Sequence, residues 1–407
     1  MKLSRLCRYL LAFAVVSGFL LADLANLANA QSRRQPPTTN EKKNKRPAEK
    51  KDGENQEPLP PDLVGKPQDA EKLTISTQIV NVDAVVYHKK SGQVVNGLKK
   101  ENFALFVDNQ PMAISNFSTP EAPITVTMVV EYSKWSEMFG LYGSGGWEPG
   151  TYEVIRPTAM FLSRFIKPED YVSVVAFDMR PTPLTDFTND PGRINAVINL
   201  LLRNYPAFRE TNLFDALKFT LIGGRGDAVV LENSELPTAE YSGMVSIQGR
   251  RRAIILIASG IDTFSKINYG DARKIAQNSG IPIYIIGTGN LFFKRYGDQL
   301  GAVDRLDGLP GRMTFLQADN TLKTFAKETG GAYYPVTFEG ELPKVLGSIN
   351  SLLRSQYSLA FNPGEVRDGK AHKIKVSIDV NGDGTYDDKE YVIQARSVYN
   401  APKPDGK

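Results

Sequence analysis

Ile124-Thr-Val-Thr-Met-Val-Val130 carries no charge and is built from β-branched and long apolar side chains with two threonines. A run of this kind has no polar face to turn to water, so it reads as a strand buried on both sides within a parallel sheet. Similar runs recur at 171–177, 253–258 and 281–286, separated by apolar residues at helical spacing over 152–166, 194–202, 211–221, 272–279 and 321–329. A last short strand around 332–335 precedes a further helical period over 342–353. Strands alternating with helices predict an α/β fold with a doubly wound, mostly parallel sheet, whose ligands bind at the carboxyl ends of the strands. The residues to inspect are therefore Glu131–Ser133, Asp178 and Ser259–Asp262.

On either side of this segment the period changes to two. Residues 73–87 alternate apolar and polar, and 103–107 and 112–117 are short strand-like runs with Asp108-Asn109-Gln110-Pro111 between them. Beyond Arg354 the same alternation returns at 356–361, 373–380 and 391–395. These pieces predict N-terminal and C-terminal β segments (73–120 and 355–400) that form one small β-sandwich of about seven strands, with the α/β unit (121–354) inserted into it; the rival is that they extend the sheet.

The first 72 residues read differently. Lys2, Arg5 and Arg8 precede an apolar run from Tyr9 to Ala22, and Ala28-Asn29-Ala30 follows, an order that predicts a secretory signal peptide over 1–30. Residues 31–72 hold seven prolines, no aromatic residue and a mixed charge run, a composition that predicts a disordered spacer. Of the 49 basic and 45 acidic residues, 13 and 9 lie in residues 1–72, which leaves 36 of each for the remainder. A balanced folded part gives no electrostatic footprint for nucleic acid. The expected setting is export to the periplasm or the cell exterior, with no membrane insertion once the signal is removed.

Scarcity limits the chemistry. Cys7 is the single cysteine, and His88 and His372 are the two histidines. A cysteine-rich zinc site, a disulfide framework and a Cys–His dyad are excluded once the leader is removed, and both histidines sit in lysine-flanked strand-like stretches away from any nucleophile elbow. No P-loop and no dinucleotide fingerprint is present, so nucleotide use has no support. The expectation is a protein that is not an enzyme.

Several ordered motifs carry a family resemblance. Glu131-Tyr-Ser133-Lys-Trp135 after the first strand, Glu169-Asp170-Tyr171 leading into the second, Glu210-Thr211-Asn-Leu-Phe-Asp215, and Ser259-Gly-Ile-Asp262 after the third resemble the von Willebrand factor type A domain. With the β segment ahead of it and Arg354-Ser-Gln-Tyr357 near its end, the chain resembles the exported bacterial branch of that family over about residues 75–400. The resemblance implies protein–protein interaction or adhesion through a metal-ion-dependent adhesion site, D-x-S-x-S plus a Thr and an Asp holding Mg²⁺. Carried onto this sequence, those positions are Glu131, Ser133, Trp135, Thr211 and Ser259, and three of the five differ from the pattern. Trp135 has no oxygen, Ser259 lacks a carboxylate, and Asp262 is a substitute one turn on. The site reads as degenerate and without Mg²⁺, and as an apolar contact surface for a protein partner or a second copy, built from Trp135 and from Met138, Phe139, Tyr142 and Trp147. The alternatives are a divalent-metal hydrolase using Glu131, Asp178 and Asp262, and a structural envelope subunit.

One more motif stands apart. Asp379-Val-Asn381-Gly-Asp383-Gly-Thr385-Tyr-Asp387-Asp-Lys-Glu390 fits D-x-[DN]-x-[DN]-G-x₅-E, which marks Asp379, Asn381, Asp383, Thr385, Asp387 and Glu390 as candidate Ca²⁺ ligands. Its flanks read as strands, so it is either a calcium-clamped hairpin or a polar turn needing no metal. No cofactor is required by anything else in the chain. Arg225-Gly226-Asp227 is too short a motif to support a claim of its own.

Overall fold

The structure is a computed structural model that describes residues 79–120, 122–135, 152–203, 206, 208–227, 238–247, 250–306, 308–364 and 366–401. The signal peptide, the whole spacer, residues 73–78 of the N-terminal β segment, and Met138, Phe139, Tyr142 and Trp147 lie outside the described residues.

The strands are β1 (Val80–His88), β2 (Phe103–Val107), β3 (Gln110–Met112), β4 (Ile114–Ser118), β5 (Ile124–Glu131), β6 (Tyr171–Phe177), β7 (Pro181–Thr188), β8 (Gly224–Asp227), β9 (Thr238–Tyr241), β10 (Arg251–Ala258), β11 (Ile283–Gly287), β12 (Tyr333–Pro335), β13 (Tyr357–Phe361), β14 (Ala371–Ile378), β15 (Tyr391–Ala395) and β16 (Val398–Asn400). The α-helices are α1 (Tyr152–Arg164), α2 (Pro191–Arg203), α3 (Leu213–Ile222), α4 (Tyr269–Ser279), α5 (Gly289–Tyr296), α6 (Arg312–Thr329) and α7 (Leu342–Arg354).

Six strands form one sheet in the order β12-β11-β10-β5-β6-β7, parallel except for β7. The uncharged run at Ile124 lies in its middle, and every residue of β5, β6 and β11 is buried. Alternate side chains on each strand go to opposite faces. Val129, Val175 and Leu256 pack under α3, α4 and α6, while Met128, Val130, Val174 and Ile257 pack under α1, α2 and α7. This two-sided cover is why those strands show no polar alternation. Strand β7 has prolines at 181 and 183, residues that a central strand rejects; it sits at the sheet's edge, where a missing N–H costs little.

The remaining large strands make two antiparallel four-stranded sheets, β15-β1-β13-β4 and β16-β14-β2-β3. Each draws strands from both ends of the chain, and the predicted single strand over 112–117 is divided between them as β3 and β4. Val82, Ala84 and Val86 from one sheet and Leu105, Val376 and Ile378 from the other share a single apolar cluster.

Buried guanidiniums join these sheets to the amino edge of the six-stranded sheet. Arg396 donates to the carbonyls of Asn81, Gln277 and Val398, and Arg251 to those of Ala122, Leu353 and Gln356. Arg354, at the end of α7, forms a bidentate pair with Asp170, whose oxygens also accept from the Ile124 and Lys167 amides. Burial alone would raise the Asp170 carboxyl; the Arg354 guanidinium and the two amides outweigh it and hold the group below its ordinary value. Three residues on, the buried Tyr357 hydroxyl accepts from the Leu98 amide and donates to the Val95 carbonyl. The Arg354-Ser-Gln-Tyr357 motif is thus the point where the chain leaves one sheet and is pinned into the next.

Removing Arg354 leaves the fully buried Asp170 carboxylate without its counter-charge. Arg354→Ala should destabilise the protein by about 3 kcal/mol, read as a lower melting temperature, and Arg354→Lys should recover only part of it because one ammonium cannot match the bidentate geometry.

Candidate functional site at the carboxyl edge

Strand β5 ends at Glu131, and the parallel register brings its tip beside the end of β10, where Ser259 begins the next loop. The Glu131 carboxylate is 1% exposed and fully engaged. Ser133 Oγ donates to Oε1 at 2.9 Å, and both the amide and the hydroxyl of Ser259 donate to Oε2 at 2.7 Å. The serine oxygens are themselves reused: Ser133 Oγ accepts from the Trp135 amide at 3.2 Å and Ser259 Oγ from the Ile261 amide at 3.2 Å. Burial pushes the Glu131 carboxyl above its ordinary value, and the three donors oppose that rise. Gly260 makes the tight turn possible: its φ is +84°, and a Cβ there would meet the Ala318 carbonyl at 2.8 Å.

The other predicted ligands are spent elsewhere. Thr211 Oγ1 donates to the Ile261 carbonyl at 2.7 Å, and the Thr211 carbonyl accepts from the Thr263 and Phe264 amides. Asp262 does not join Glu131; its Oδ1 accepts from Ser265 Oγ and from the Phe214 amide at the start of α3. Ser265 Oγ also accepts from the Phe214 and Asp215 amides, so Ser265 and Asp262 together cap that helix. The Asp178 carboxylate accepts from the Arg180 amide, while its carbonyl accepts from the Asn212 amide. Burial is the main cause that raises both Asp178 and Asp262.

Trp135 is a correction to the surface reading. It is 3% exposed and packs with Ile261, Phe292, Phe315 and Ala318, with the Arg209 guanidinium 5.5 Å from its ring centre. The indole is too large and apolar to remain in water once α5 and α6 supply an apolar wall, so it fills the volume beside the strand ends. Helix α5 carries Phe292 in that wall, yet at eight residues with Gly at its start it left no helical period in the sequence to read.

A divalent ion at this edge would need open oxygens. The donors on Glu131, the carbonyl bond of Thr211 and the apolar surroundings of Trp135 do not fit Mg²⁺. Glu131, Asp178 and Asp262 do not converge either: among the described residues no group of three or more His, Cys, Asp or Glu side chains is placed to hold a metal ion.

The 379–390 loop is organised by its own carboxylates. Asp379 accepts from the Gly382, Asp383 and Gly384 amides at 2.7, 3.2 and 2.8 Å. Asp383 accepts from the Thr385 amide and hydroxyl and from Asn381 Nδ2, and Asp387 accepts from the Val380 amide at 2.8 Å. Glycines 382 and 384 supply positive φ, and the loop runs between β14 and β15, so its context is two strands as the sequence predicted. The Arg225-Gly226-Asp227 tripeptide lies on β8, paired with β9.

No family model matches the chain, and no curated protein matches it. Solved structures similar to it are von Willebrand factor type A domain proteins, the family its ordered motifs resemble. They include the conserved hypothetical protein BatB of Bacteroides thetaiotaomicron, 14% identical with a TM-score of 0.37 over 57% of this chain and 100% of that one. The von Willebrand factor domain of the type V pili tip protein Mfa5 from Porphyromonas gingivalis is 14% identical, TM-score 0.35, over 57% of this chain and 95% of that one. A type A protein from Catenulispora acidiphila is 9% identical, TM-score 0.36, over 81% and 75%. The functional reading rests on this chain's own residues.

Glu131→Ala would strand the Ser259 amide and hydroxyl in a dry site, and about 2–3 kcal/mol of stability should be lost. Glu131→Gln keeps an acceptor for Ser259 and a donor toward Ser133, so it should stay within about 1 kcal/mol of wild type. Because the folded-state carboxyl is raised, wild type should lose stability relative to Glu131→Gln as the pH climbs from the ordinary carboxylate value through the raised one. Thermal unfolding of the three proteins between pH 4 and 8 checks both statements.

Proposed function

We propose that the chain is an exported protein–protein interaction module that works through the carboxyl edge of its six-stranded sheet without a resident Mg²⁺. The observation that carries this is the exchange of chemistry at that edge: the ligand positions are sealed into internal hydrogen bonds and an apolar cluster, while large apolar side chains stand exposed around it. Phe208, Phe264, Val303, Leu306, Met313 and Leu316 are all exposed. Each sits on a segment at the carboxyl edge. Phe208 accepts from the Lys134 amide just past β5, Phe264 follows β10, and 303–306 follow α5. Met313 and Leu316 occupy the first turns of α6, which runs back toward the amino end of β12.

Exposed apolar side chains on segments at one edge of a sheet mark an interaction surface, with affinity set by a few central anchors. The reading includes export, supported by the order of basic, apolar and small residues over 1–30. It also takes the two antiparallel sheets as one β-sandwich, 73–120 with 355–400, framing the α/β unit of 121–354. Leu306→Asp with Met313→Glu should leave the melting temperature within about 1 °C, since neither side chain is buried, and should abolish the crosslinked partner recovered from the native envelope. Self-association lost in the same double variant, measured by sedimentation, would identify the partner as a second copy and make the protein a structural subunit. A partner retained undiminished would contradict the assignment of this edge.

For the 379–390 loop the reading is a structural Ca²⁺ clamp on the β14–β15 connection. The oxygen spacing supports it, as does the winding of three loop amides around the Asp379 carboxylate. Asp379, Asn381, Asp383, Asp387 and Glu390 would supply side-chain oxygens and Thr385 its carbonyl once the loop closes on the ion, since without it no three of these carboxylates are placed to hold a metal. Stabilisation by a bound ion follows RT ln(1+[L]/Kd), about 2.7 kcal/mol at a hundredfold excess over Kd. Unfolding in Ca²⁺ should occur at a higher temperature than in EDTA, and Asp383→Ala should remove the difference; equal melting in both would make the loop a metal-free turn.

A further inference from the structure

His372 begins β14 and stands between two carboxylates from different loops. Its Nδ1 lies 2.8 Å from Asp108 Oδ2 and its Nε2 lies 3.1 Å from Asp368 Oδ1. Asp108 belongs to the β2–β3 turn, where it and Asn109 hold φ of 48° and 68°. Asp368 belongs to the connection from β13 to β14, which passes from one antiparallel sheet to the other. The imidazole also stacks on Tyr399 of β16, with ring centres 5.1 Å apart and planes 23° apart.

A neutral imidazole has one N–H and one bare nitrogen, so it can donate to one carboxylate only. With an acidic oxygen at each nitrogen, the arrangement is satisfied by the imidazolium, which donates both ways. The carboxylates are aimed by the backbone: the Lys373 amide donates to Asp108 Oδ1 and the Lys370 amide to Asp368 Oδ1. The charged and titratable groups facing the ring are therefore Asp108 and Asp368, the neighbouring Lys370 and Lys373, and the Tyr399 phenol.

We propose that His372 is a proton-operated clasp that ties the β2–β3 turn to the crossover between the two antiparallel sheets, closed when the ring is doubly protonated and open when it is not. Burial alone would lower the imidazole's affinity for its second proton; the bonds to Asp108 and Asp368 outweigh that and raise it. The same bonds lower Asp108, through His372 first, and lower Asp368, through the Lys370 amide first. The clasp's stabilisation is present below the unfolded imidazole value of about 6.5 and is lost as pH rises through the raised folded value. At the acid end it is lost as the carboxylates protonate. On the export proposed above, the protein meets such changes in pH directly, and the response lies in the antiparallel sheets, separate from the carboxyl edge.

The chain's two histidines make the test tractable in the full-length protein labelled with ¹⁵N-histidine, with His88→Gln to assign the signals. The His372 midpoint should lie above the ordinary imidazole value of about 6.5, with both ring nitrogens protonated below that midpoint. Asp368→Asn and Asp108→Asn, each tolerated in the turn it occupies, should each bring that midpoint down. Hydrogen exchange over 366–373, corrected for intrinsic rates, should speed up at least threefold as the pH passes the His372 midpoint. A midpoint at or below the ordinary imidazole value, a midpoint untouched by both variants, or exchange that ignores the titration would overturn the proposal.

Discussion

The carboxyl edge depends on one carboxylate that has nowhere to go. Glu131 ends a strand buried on both faces, and its extra methylene beyond an aspartate carries its oxygens to the Ser259 amide and hydroxyl on the neighbouring strand's loop. A buried carboxylate is tolerated only when its lone pairs are met, and here three donors meet them. That satisfaction fixes the path of the 259–262 turn, which in turn places Ile261 against Trp135 and offers its carbonyl to Thr211. A residue that would bind an ion in an open site becomes a staple between two strands.

The same economy governs the opposite edge. There the chain joins its layers through arginines whose guanidiniums serve backbone carbonyls, with Arg354 pairing with Asp170 as well as donating to the Phe165 carbonyl. Because Arg354 and Tyr357 are three residues apart, one short motif secures both the end of the last helix and the loop at 95–98. The amino edge is thus held by buried charge and the carboxyl edge by a buried acid surrounded by apolar packing, which leaves the surface around the latter free to carry exposed Phe, Val, Leu and Met side chains.

Much of this was legible in the sequence. The uncharged runs at 124–130, 171–177 and 253–258 gave the central strands because two-sided burial removes every charge, and the return of period two marked the flanking sheets. That Trp135 brings no side-chain oxygen to its position and Ser259 no carboxylate could also be read. The destination of Trp135 could not, because its burial depends on Phe292 and Phe315, more than 150 positions away in the chain, and one of these lies on a helix too short to leave a period. Strand β7 was hidden by its prolines, which are acceptable only because its outer edge is unpaired. His372 looked like a solvated strand-end residue, and its two carboxylate partners come from positions 4 and 264 residues away.

Whether this edge is closed to divalent ions is decided by a calorimetric titration of Mg²⁺ and Mn²⁺ into the Asp383→Ala protein, in which the 379–390 loop is silent. The account predicts no saturable heat for either ion at millimolar concentration. A single-site isotherm that disappears when Glu131→Ala is added would contradict it, and would restore a metal to the end of β5.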